Sequence, residues 1–199
     1  MLIDCYKKLP SCFITATDTD AGKTHVSCQI LKAWQSEGYA VAAFKPVASG
    51  AVWQAGQLVS EDAVRLAAVT NQPLDEITTF IFEKPASPHI ADIHHSFDLN
   101  RCLKQYNCLT AQYDRVLVEG VGGWCVPLSN DLMLKDMANA IALPIVMVAR
   151  IGLGCINHSL LTIHRIKSES PYYHGWIANQ IDAEFADAKA NIQSILIRS

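Results

Sequence analysis

The stretch that decides the fold is Ala16-Thr17-Asp18-Thr19-Asp20-Ala21-Gly22-Lys23-Thr24, which lies between an apolar run and a helical pattern. The preceding residues 12–15 (Cys-Phe-Ile-Thr) predict a short buried strand. The apolar residues that follow recur at helical spacing, namely Val26, Ile30, Ala33 and Trp34. The stretch therefore joins a strand to a helix, which is the context in which phosphate-binding loops lie.

The residues Gly22, Lys23 and Thr24 supply the chemistry that such a loop needs. The glycine lets the backbone approach an anion, the lysine adds a full charge, and the threonine offers a hydroxyl to Mg2+. The generic Walker A pattern expects a glycine where this chain has Thr17. The alternative is a plain strand-turn-helix corner with an exposed lysine, but Gly-Lys-Thr at this position favours phosphate binding.

Two carboxylates, Asp18 and Asp20, lie in the same loop beside the expected polyphosphate. Like charges repel, so the loop makes sense if a cation also approaches and offsets the repulsion. That cation could be a metal with its water or a positively charged substrate. An amine substrate is therefore worth considering.

Composition limits the classes of protein that this chain can be. With 199 residues, of which 50% are hydrophobic, residues 1–199 are predicted to form a single domain. The net charge of -3 and the lack of Lys or Arg runs argue against a nucleic-acid partner. Residues 1–10 lack the apolar core of a signal peptide, and no apolar run approaches about 18 residues. We therefore expect a cytoplasmic protein with no membrane partner.

The cysteines and histidines give no sign of a disulfide framework or a metal site. The seven cysteines are odd in number and have no Cys-x-x-Cys spacing, so they are predicted to be buried free thiols. His94 and His95 are adjacent, so regular structure would point them in different directions and a shared metal is improbable.

Strand and helix patterns alternate along the rest of the chain. Further strands are predicted at 40–44, 78–82, 115–119, 144–149 and 175–179. Helical patterns begin near Ser60, after Asp98, at Leu134, near Asn157 and at Phe185. The predicted fold is therefore α/β, a doubly wound, mainly parallel sheet with helices on both faces, of the P-loop NTPase type.

Three side chains outside the loop are candidates for the same site. Lys45 follows the strand 40–44, at the sheet edge where ligands of open α/β folds bind, although it could be a solvated lysine. Glu119 ends an apolar strand before a glycine-rich turn, as in a Walker B arrangement, although it could be a surface charge. Asp62 starts a helix, and it could be a mere partner of the helix dipole.

Five motifs, in this order and spacing, closely resemble those of the dethiobiotin synthetase family. They are Thr17-Asp18-Thr19-x-x-Gly22-Lys23-Thr24, Lys45-Pro46-Val47-Ala48-Ser49-Gly50, Ser87-Pro88-His89-Ile90, Val118-Glu119-Gly120-x-Gly122-Gly123-Trp124 and Gly152-Leu153-Gly154-Cys155-Ile156-Asn157-His158. The resemblance implies an ATP-dependent carboxylase that makes dethiobiotin from 7,8-diaminononanoate and CO2 or bicarbonate, releasing ADP and phosphate. It also implies a carbamate and a carbamic-phosphoric anhydride as intermediates.

The resemblance assigns roles position by position. Lys45 and Lys23 become catalytic residues, and Thr24, Asp62 and Glu119 become ligands of Mg2+. The implied ATP contacts are Asp20, Ala21, Gly22, Lys23, Thr24, His25, Asp62, Glu119, Gly120, Val121, Gly122, Asn179 and Gln180. The implied substrate contacts are Thr19, Ser49, Gly154, Cys155, Ile156 and Asn157. A homodimer is also implied, with the substrate site at the interface between subunits.

The chain departs from the family pattern in two places. The family has glycine where this chain has Ala16, which is tolerable only if that residue keeps a negative φ. The family also continues past the position of Ser199 into a segment that helps hold the nucleotide base. Base selectivity is therefore an open question.

Two rival functions come from related P-loop proteins. A corrinoid amide synthase shares a similar loop, but it needs an attached amidotransferase domain, for which 199 residues leave no room. A partitioning or membrane-positioning ATPase would act as a nucleotide switch. Such ATPases carry an extra lysine early in the loop, where this chain has Thr17 and Asp18.

Overall fold

The computed structural model describes residues 2–199, so Met1, where the predicted domain begins, lies outside the described residues. The strands are β1 Cys12–Ala16, β2 Val41–Phe44, β3 Val47–Ser49, β4 Val52–Gln54, β5 Gln57–Val59, β6 Phe80–Phe82, β7 Arg115–Glu119, β8 Ile145–Arg150 and β9 Tyr173–Asn179. The helices are α1 Leu2–Lys7, α2 Lys23–Ser36, α3 Glu61–Thr70, α4 Leu74–Ile77, α5 Pro88–Ala91, α6 Leu99–Thr110, α7 Leu134–Ile141, α8 Cys155–Glu169 and α9 Ala188–Arg198.

The main sheet has five strands in the order β2-β7-β1-β8-β9, and every ladder in it is parallel. The strand β1 is central, with Phe13 opposite Val118 of β7 and Ile145 of β8. Because the strands are parallel, the carboxyl ends of β1, β2 and β7 lie at the same edge of the sheet. The predicted doubly wound, mainly parallel α/β fold is confirmed.

Alternate residues of the strands face two separate hydrophobic cores. Phe13 belongs to the core that also contains residues of α6, α7, α8 and α9. Its neighbours Cys12 and Ile14 belong to the other core, with residues of α1, α2 and α3. Side chains of a strand alternate between the two faces, so helices on both faces bury β1 and β2 completely. The unbroken apolar runs of the sequence reflect this double cover.

The region between β2 and α6 differs most from the prediction. The predicted strand 78–82 begins only at Phe80, and it pairs with β3 rather than joining the main sheet. The antiparallel hairpin of β4 and β5 was not predicted. Each of these strands has three residues, and β4 is exposed throughout, so no periodicity marks them. The predicted loop 85–89 gives way to α5, which places Pro88 at the first helical position.

The prediction that the cysteines are buried holds for three of the seven. Cys12, Cys102 and Cys155 are buried, Cys28 is partly buried, and Cys5, Cys108 and Cys125 are exposed, while all seven are free thiols. On α6, Cys102 lies on the inward stripe while Cys108 is six residues later and faces outward. Among the described helices, none combines the length and apolar character that crossing a membrane requires.

Candidate functional site

The predicted phosphate loop lies between β1 and α2, as the sequence indicates. Asp18 accepts a hydrogen bond from the Thr19 N–H at 2.7 Å and so caps a short 3-10 turn, Thr19–Ala21. Gly22 then adopts a left-handed conformation with φ of 85° and starts α2. Ala16 is not among the described non-glycine residues with positive φ, so the condition for alanine at this position is met.

The Lys23 side chain lies under its own loop. Its Nζ donates to the Gly122 carbonyl at 2.8 Å and to the carbonyls of Asp18 and Thr19 at 3.3 Å. Burial lowers the pKa of Lys23 to about 8, and the charge of Lys45 adds to this, although nearby carboxylates oppose it. Lys23 therefore links the phosphate loop to the glycine-rich turn after β7.

Three oxygen-bearing side chains converge behind the loop. The Thr24 Oγ1 lies 2.8 Å from Asp62 Oδ1 and 2.7 Å from Glu119 Oε1. The threonine hydroxyl has one hydrogen, so it cannot donate to both carboxylates at once. A hard divalent cation satisfies such a set of oxygens, because Mg2+ binds one or two carboxylates together with other oxygen ligands. The predicted metal ligands are thus close together and fit the ion.

Lys45 is 3% exposed and lies between two carboxylates. Its Nζ is 2.8 Å from Glu119 Oε1 and 2.9 Å from Asp62 Oδ2. Burial alone would lower the pKa of Lys45, but the charges of Glu119 and Asp62 outweigh burial and raise it. Burial likewise would raise the pKa of Asp62, while Lys45 lowers it. Because Glu119 is 0% exposed, neither Lys45 nor Glu119 is the solvated surface charge of the alternative interpretation.

A cavity of about 290 Å³ opens in front of these groups. Its lining brings together most of the predicted phosphate, metal and catalytic residues, with Ser49 among them. The lining residues are Thr19, Asp20, Gly22, Lys23, Thr24, His25, Lys45, Ser49, Asp62, Arg65, Val121 and Gly122.

A second cavity, of about 300 Å³, shares the residues Thr19, Ser49, Val121 and Gly122 with the first. Its remaining lining is mostly apolar and comes from the loop before α5 and from the turn after β7. These residues are Pro85, Ala86, Ser87, Pro88 and Val126. The pair of cavities therefore passes from a charged end at the phosphate loop to an apolar end.

The predicted base contacts lie at the end of β9. The Asn179 Nδ2 donates to the Ala21 carbonyl at 2.8 Å, and the same amide lies against Gly22. The exposed Gln180 instead bonds to the Asp182 carbonyl at 3.1 Å. Of the predicted base contacts, Asn179 reaches the phosphate loop and Gln180 does not.

Gly120, another predicted ATP contact, begins the glycine-rich turn after β7. An added Cβ at this position would approach Leu134 to 2.9 Å.

The remaining predicted substrate contacts lie at the start of α8. Gly154 is left-handed with φ of 87°, and Cys155 is buried with its Sγ donating to Asn191 Oδ1 at 3.5 Å. Ile156 and Asn157 follow in the first turn of the helix. None of these four residues lines either of the two cavities. They therefore lie outside the linings that contain Lys45 and Ser49.

Two residues at the site were not predicted from the sequence. Ser27 is fully buried and its Oγ donates to Glu119 Oε2 at 2.7 Å, and Arg65 lines the first cavity. Each follows a predicted metal ligand by three residues on the same helix, Ser27 after Thr24 and Arg65 after Asp62. Helical spacing from the predicted metal ligands was a signal that could have found them.

Comparison with known proteins gives several relatives. The family described as "AAA domain" matches residues 11–198. The ATP-dependent dethiobiotin synthetase BioD of Aromatoleum aromaticum is 38% identical over 187 residues, which are 92% of this chain and 83% of the relative. The protein of the same name from Pseudoalteromonas translucida is 38% identical, with 94% of this chain and 84% of the relative covered. The one from Yersinia pestis bv. Antiqua is 40% identical, with 85% and 72% covered.

Solved structures share the fold at low sequence identity. A ParA family ATPase from Chlorobium tepidum TLS matches with a TM-score of 0.54 at 13% identity, covering 94% of this chain and 81% of that one. The kinase domain of the Escherichia coli tyrosine kinase ETK matches with a TM-score of 0.53 at 16% identity, covering 89% and 70%. At such identities the likeness concerns the P-loop fold alone.

Proposed function

The chain belongs to the ATP-dependent dethiobiotin synthetase family, and we propose that it carboxylates 7,8-diaminononanoate with CO2 and closes the ureido ring with ATP. Family membership makes it an ATP-dependent cyclo-ligase of biotin biosynthesis. The observation that carries the proposed chemistry is the position of Lys45, which lies buried between Glu119 and Asp62 on the wall of the cavity at the phosphate loop.

The two cavities share four lining residues, and together they suit a molecule with amines at one end and an aliphatic chain behind them. Thr19 and Ser49 line both cavities and offer hydroxyls to the amines. The apolar lining of the second cavity, with Pro85, Pro88 and Val126, suits the methylene chain. We therefore assign the amine end to the phosphate loop and the chain to the second cavity.

The reaction begins when one amine of the substrate adds to CO2 and loses a proton, which gives a carbamate. A carbamate oxygen then attacks the γ-phosphorus of ATP, the bond to the bridging oxygen breaks, and ADP leaves. The second amine attacks the carbamoyl carbon of the mixed anhydride, phosphate leaves, and the ring closes with loss of one more proton. Little proton chemistry is therefore required of the protein.

The main task of the protein is to stabilise negative charge while it positions the reactants. Lys45 is held charged by its two carboxylates, and its position on the cavity wall suits the carbamate and the phosphoryl group in transfer. Lys23 donates to three carbonyls that a phosphate oxygen would replace. The N–H groups at the start of α2 supply further donors for phosphate.

The side chains of Thr24, Asp62 and Glu119 would hold Mg2+. When bound, the ion would supply positive charge to the phosphate oxygens. This assignment is supported by the close approach of three oxygens that share too few hydrogens. Lys45 lies at the same carboxylates, so lysine and metal would share the negative charge of Glu119 and Asp62.

We place the substrate carboxylate at the start of α8 of a second subunit. Helix N-termini bind carboxylates, and residues Gly154–Asn157 begin a helix of 15 residues. They line neither cavity of their own chain, which supports a homodimer whose active site takes the phosphate loop from one subunit and α8 from the other. The cytoplasmic location stays a prediction.

The test is incubation with diaminononanoate, bicarbonate, Mg2+ and ATP, with product identified by mass. Dethiobiotin and ADP should form together, and both should depend on the diamine. Unchanged diamine with a folded enzyme would overturn the proposed reaction. ATP hydrolysis without diamine would instead point to a nucleotide switch, and transfer of ammonia to a corrinoid would point to the amide synthase. The relatives at 38–40% identity favour the synthetase, while the ParA likeness concerns the fold only.

A further inference from the structure

The carboxylate of Glu119 has a different partner set on each oxygen. Its Oε1 accepts from Lys45 at 2.8 Å and lies 2.7 Å from the Thr24 hydroxyl. Its Oε2 accepts from the Ser27 hydroxyl at 2.7 Å. Both Glu119 and Ser27 are 0% exposed, so bulk water cannot replace the serine. We propose that Ser27 is a positioning residue that fixes the orientation of the Glu119 carboxylate for binding of the metal and its nucleotide.

Such a residue is needed because the carboxylate of a glutamate can rotate. The terminal torsion of glutamate is broad, so the two oxygens can exchange places or tilt unless their partners differ. The Ser27 hydroxyl is the partner of Oε2 and therefore directs Oε1 towards Thr24 and Lys45. A hydroxyl can act only as a donor to an ionised carboxylate, so the direction of this bond is fixed.

Local helix geometry does not explain the Ser27 contact. Serine inside a helix commonly bonds back to a carbonyl of the preceding turn. Ser27 instead crosses to β7, and its partner is 92 residues later in the chain. Its position three residues after Thr24 brings two hydroxyls from one helix face to the same carboxylate. This arrangement suits Glu119 as the metal ligand and Ser27 as the residue that positions it.

The chain provides a matched control in Ser159. This serine lies in α8, is 0% exposed like Ser27, and its Oγ has no hydrogen-bond partner in the described part of the chain. Ser159→Ala therefore removes a buried helical hydroxyl of the same kind without touching a carboxylate. The two substitutions differ in whether Glu119 loses a donor.

The role of Ser27 rests on the proposed metal-dependent function, so binding is measured separately from turnover. Mn2+ binding in the presence of ADP is followed by electron paramagnetic resonance in the wild type, Ser27→Ala and Ser159→Ala. ADP binding without metal is measured by calorimetry. We expect Ser27→Ala to weaken Mn2+ binding about 10 to 100-fold, as loss of a supporting partner typically does, with metal-free ADP affinity unchanged. Ser159→Ala should match the wild type.

Several outcomes would overturn the role of Ser27. They are an unchanged Mn2+ affinity in folded Ser27→Ala, an equal shift in Ser159→Ala, and a parallel loss of metal-free ADP binding. If Ser27→Ala does not fold, Ser27→Cys keeps the size with a weaker donor, and its Mn2+ affinity is judged by the same criteria. A wild type that binds Mn2+ and ADP but makes no dethiobiotin would refute the proposed function and leave these binding comparisons intact.

Discussion

The corners β1–α2 and β8–α8 share one backbone design and differ in what surrounds it. In both, a strand of the main sheet is followed by a left-handed glycine that starts a helix, Gly22 with φ of 85° and Gly154 with φ of 87°. At the first corner Lys23 and Thr24 follow, both buried and bonded to residues of other elements. At the second, Cys155 follows and is also buried and bonded to another helix, but it carries no charge, and Leu153 before the glycine is 98% exposed.

The difference shows that a strand-glycine-helix corner supplies backbone donors to an anion but does not by itself decide which anion binds. Both corners offer helix N–H groups, which attract any anion. Only the first adds a cationic side chain and a hydroxyl beside carboxylates, which suits a polyphosphate with its metal. The second offers N–H groups without a lysine, which suits a single carboxylate. In the proposed homodimer, the β8–α8 corner would face the phosphate loop of the other subunit.

The largest expected effect comes from Lys45→Ala at the first corner. Removing an electrostatic group that acts on the transferring phosphoryl typically costs about 100 to 1,000-fold in rate. ADP binding should persist, because Lys23 and the α2 N-terminus are untouched. Turnover and ADP affinity are measured separately.

The same substitution leaves Glu119 buried beside an empty position, so folding must be checked. Removing one partner of a buried pair costs about 3 to 5 kcal/mol of stability. Assays are therefore run well below the melting temperature of the variant. Lys104→Ala, on the exposed face of α6, is the control and should behave as wild type. Near-normal turnover of folded Lys45→Ala would show that Lys45 is a bystander.

Alanine at each glycine compares the two corners directly. Both substitutions impose left-handed strain of about 1 kcal/mol. At Gly22 the new Cβ also collides with Asn179, whose bond to Ala21 must break, so the total cost in stability reaches about 2 kcal/mol and the phosphate loop is displaced from its ADP-binding shape. At Gly154 the nearest atom is a His158 carbon at 3.8 Å, which is an ordinary contact. Calorimetry should show weak ADP binding for Gly22→Ala and normal binding for Gly154→Ala.

A partial return of activity is expected when two variants, each expected to be inactive alone, are mixed. Lys45→Ala damages the first corner, and Asn157→Glu places a carboxylate-repelling charge at the second. After dissociation and random re-association of equal amounts, each mixed dimer has one doubly damaged site and one intact site. About a quarter of normal activity should therefore return if the corners come from different subunits. If one chain supplies both, every site keeps a lesion and mixing restores nothing.

The sequence predicts the β1–α2 corner better than it predicts the residues and strands that pack around it. The loop, Lys45 and Glu119 were predicted because strand ends and Gly-Lys-Thr leave local signals, whereas the role of Asp62 was predicted from the family resemblance alone. Ser27 was missed because its partner Glu119 is 92 residues away, and the helical spacing from Thr24 does not by itself distinguish a serine that contacts the site. The β4–β5 hairpin was missed because three-residue strands show no period. Partners distant in sequence are settled by tertiary packing, which local patterns do not encode.

The smallest predicted effect concerns Glu169, which anchors the far end of α8. Its Oε2 accepts from the Trp124 indole at 2.9 Å, and its Oε1 lies 2.6 Å from both Lys135 and Arg165. Glu169→Gln should lower stability by about 1 to 2 kcal/mol, since charge-assisted bonds weaken. Thermal melting should show a fall of about 2 to 8 °C, with ADP affinity unchanged. Glu37→Gln, in an exposed pair with Lys7, is the control and should stay within about 0.5 kcal/mol.

The pH dependence of this loss gives the sharper test. Burial alone would raise the pKa of Glu169, but hydrogen bonds from Lys135 and Trp124 outweigh burial and lower it below its ordinary 4.5. A carboxylate with a lowered pKa in the folded state stabilises the protein above its ordinary pKa and loses this contribution as pH falls. The gap between wild type and Glu169→Gln should therefore be constant from about pH 6 to 8 and close below pH 4.5. A change in ADP affinity in Glu169→Gln would contradict the expectation of unchanged binding and would mean that α8 and the phosphate loop are energetically coupled.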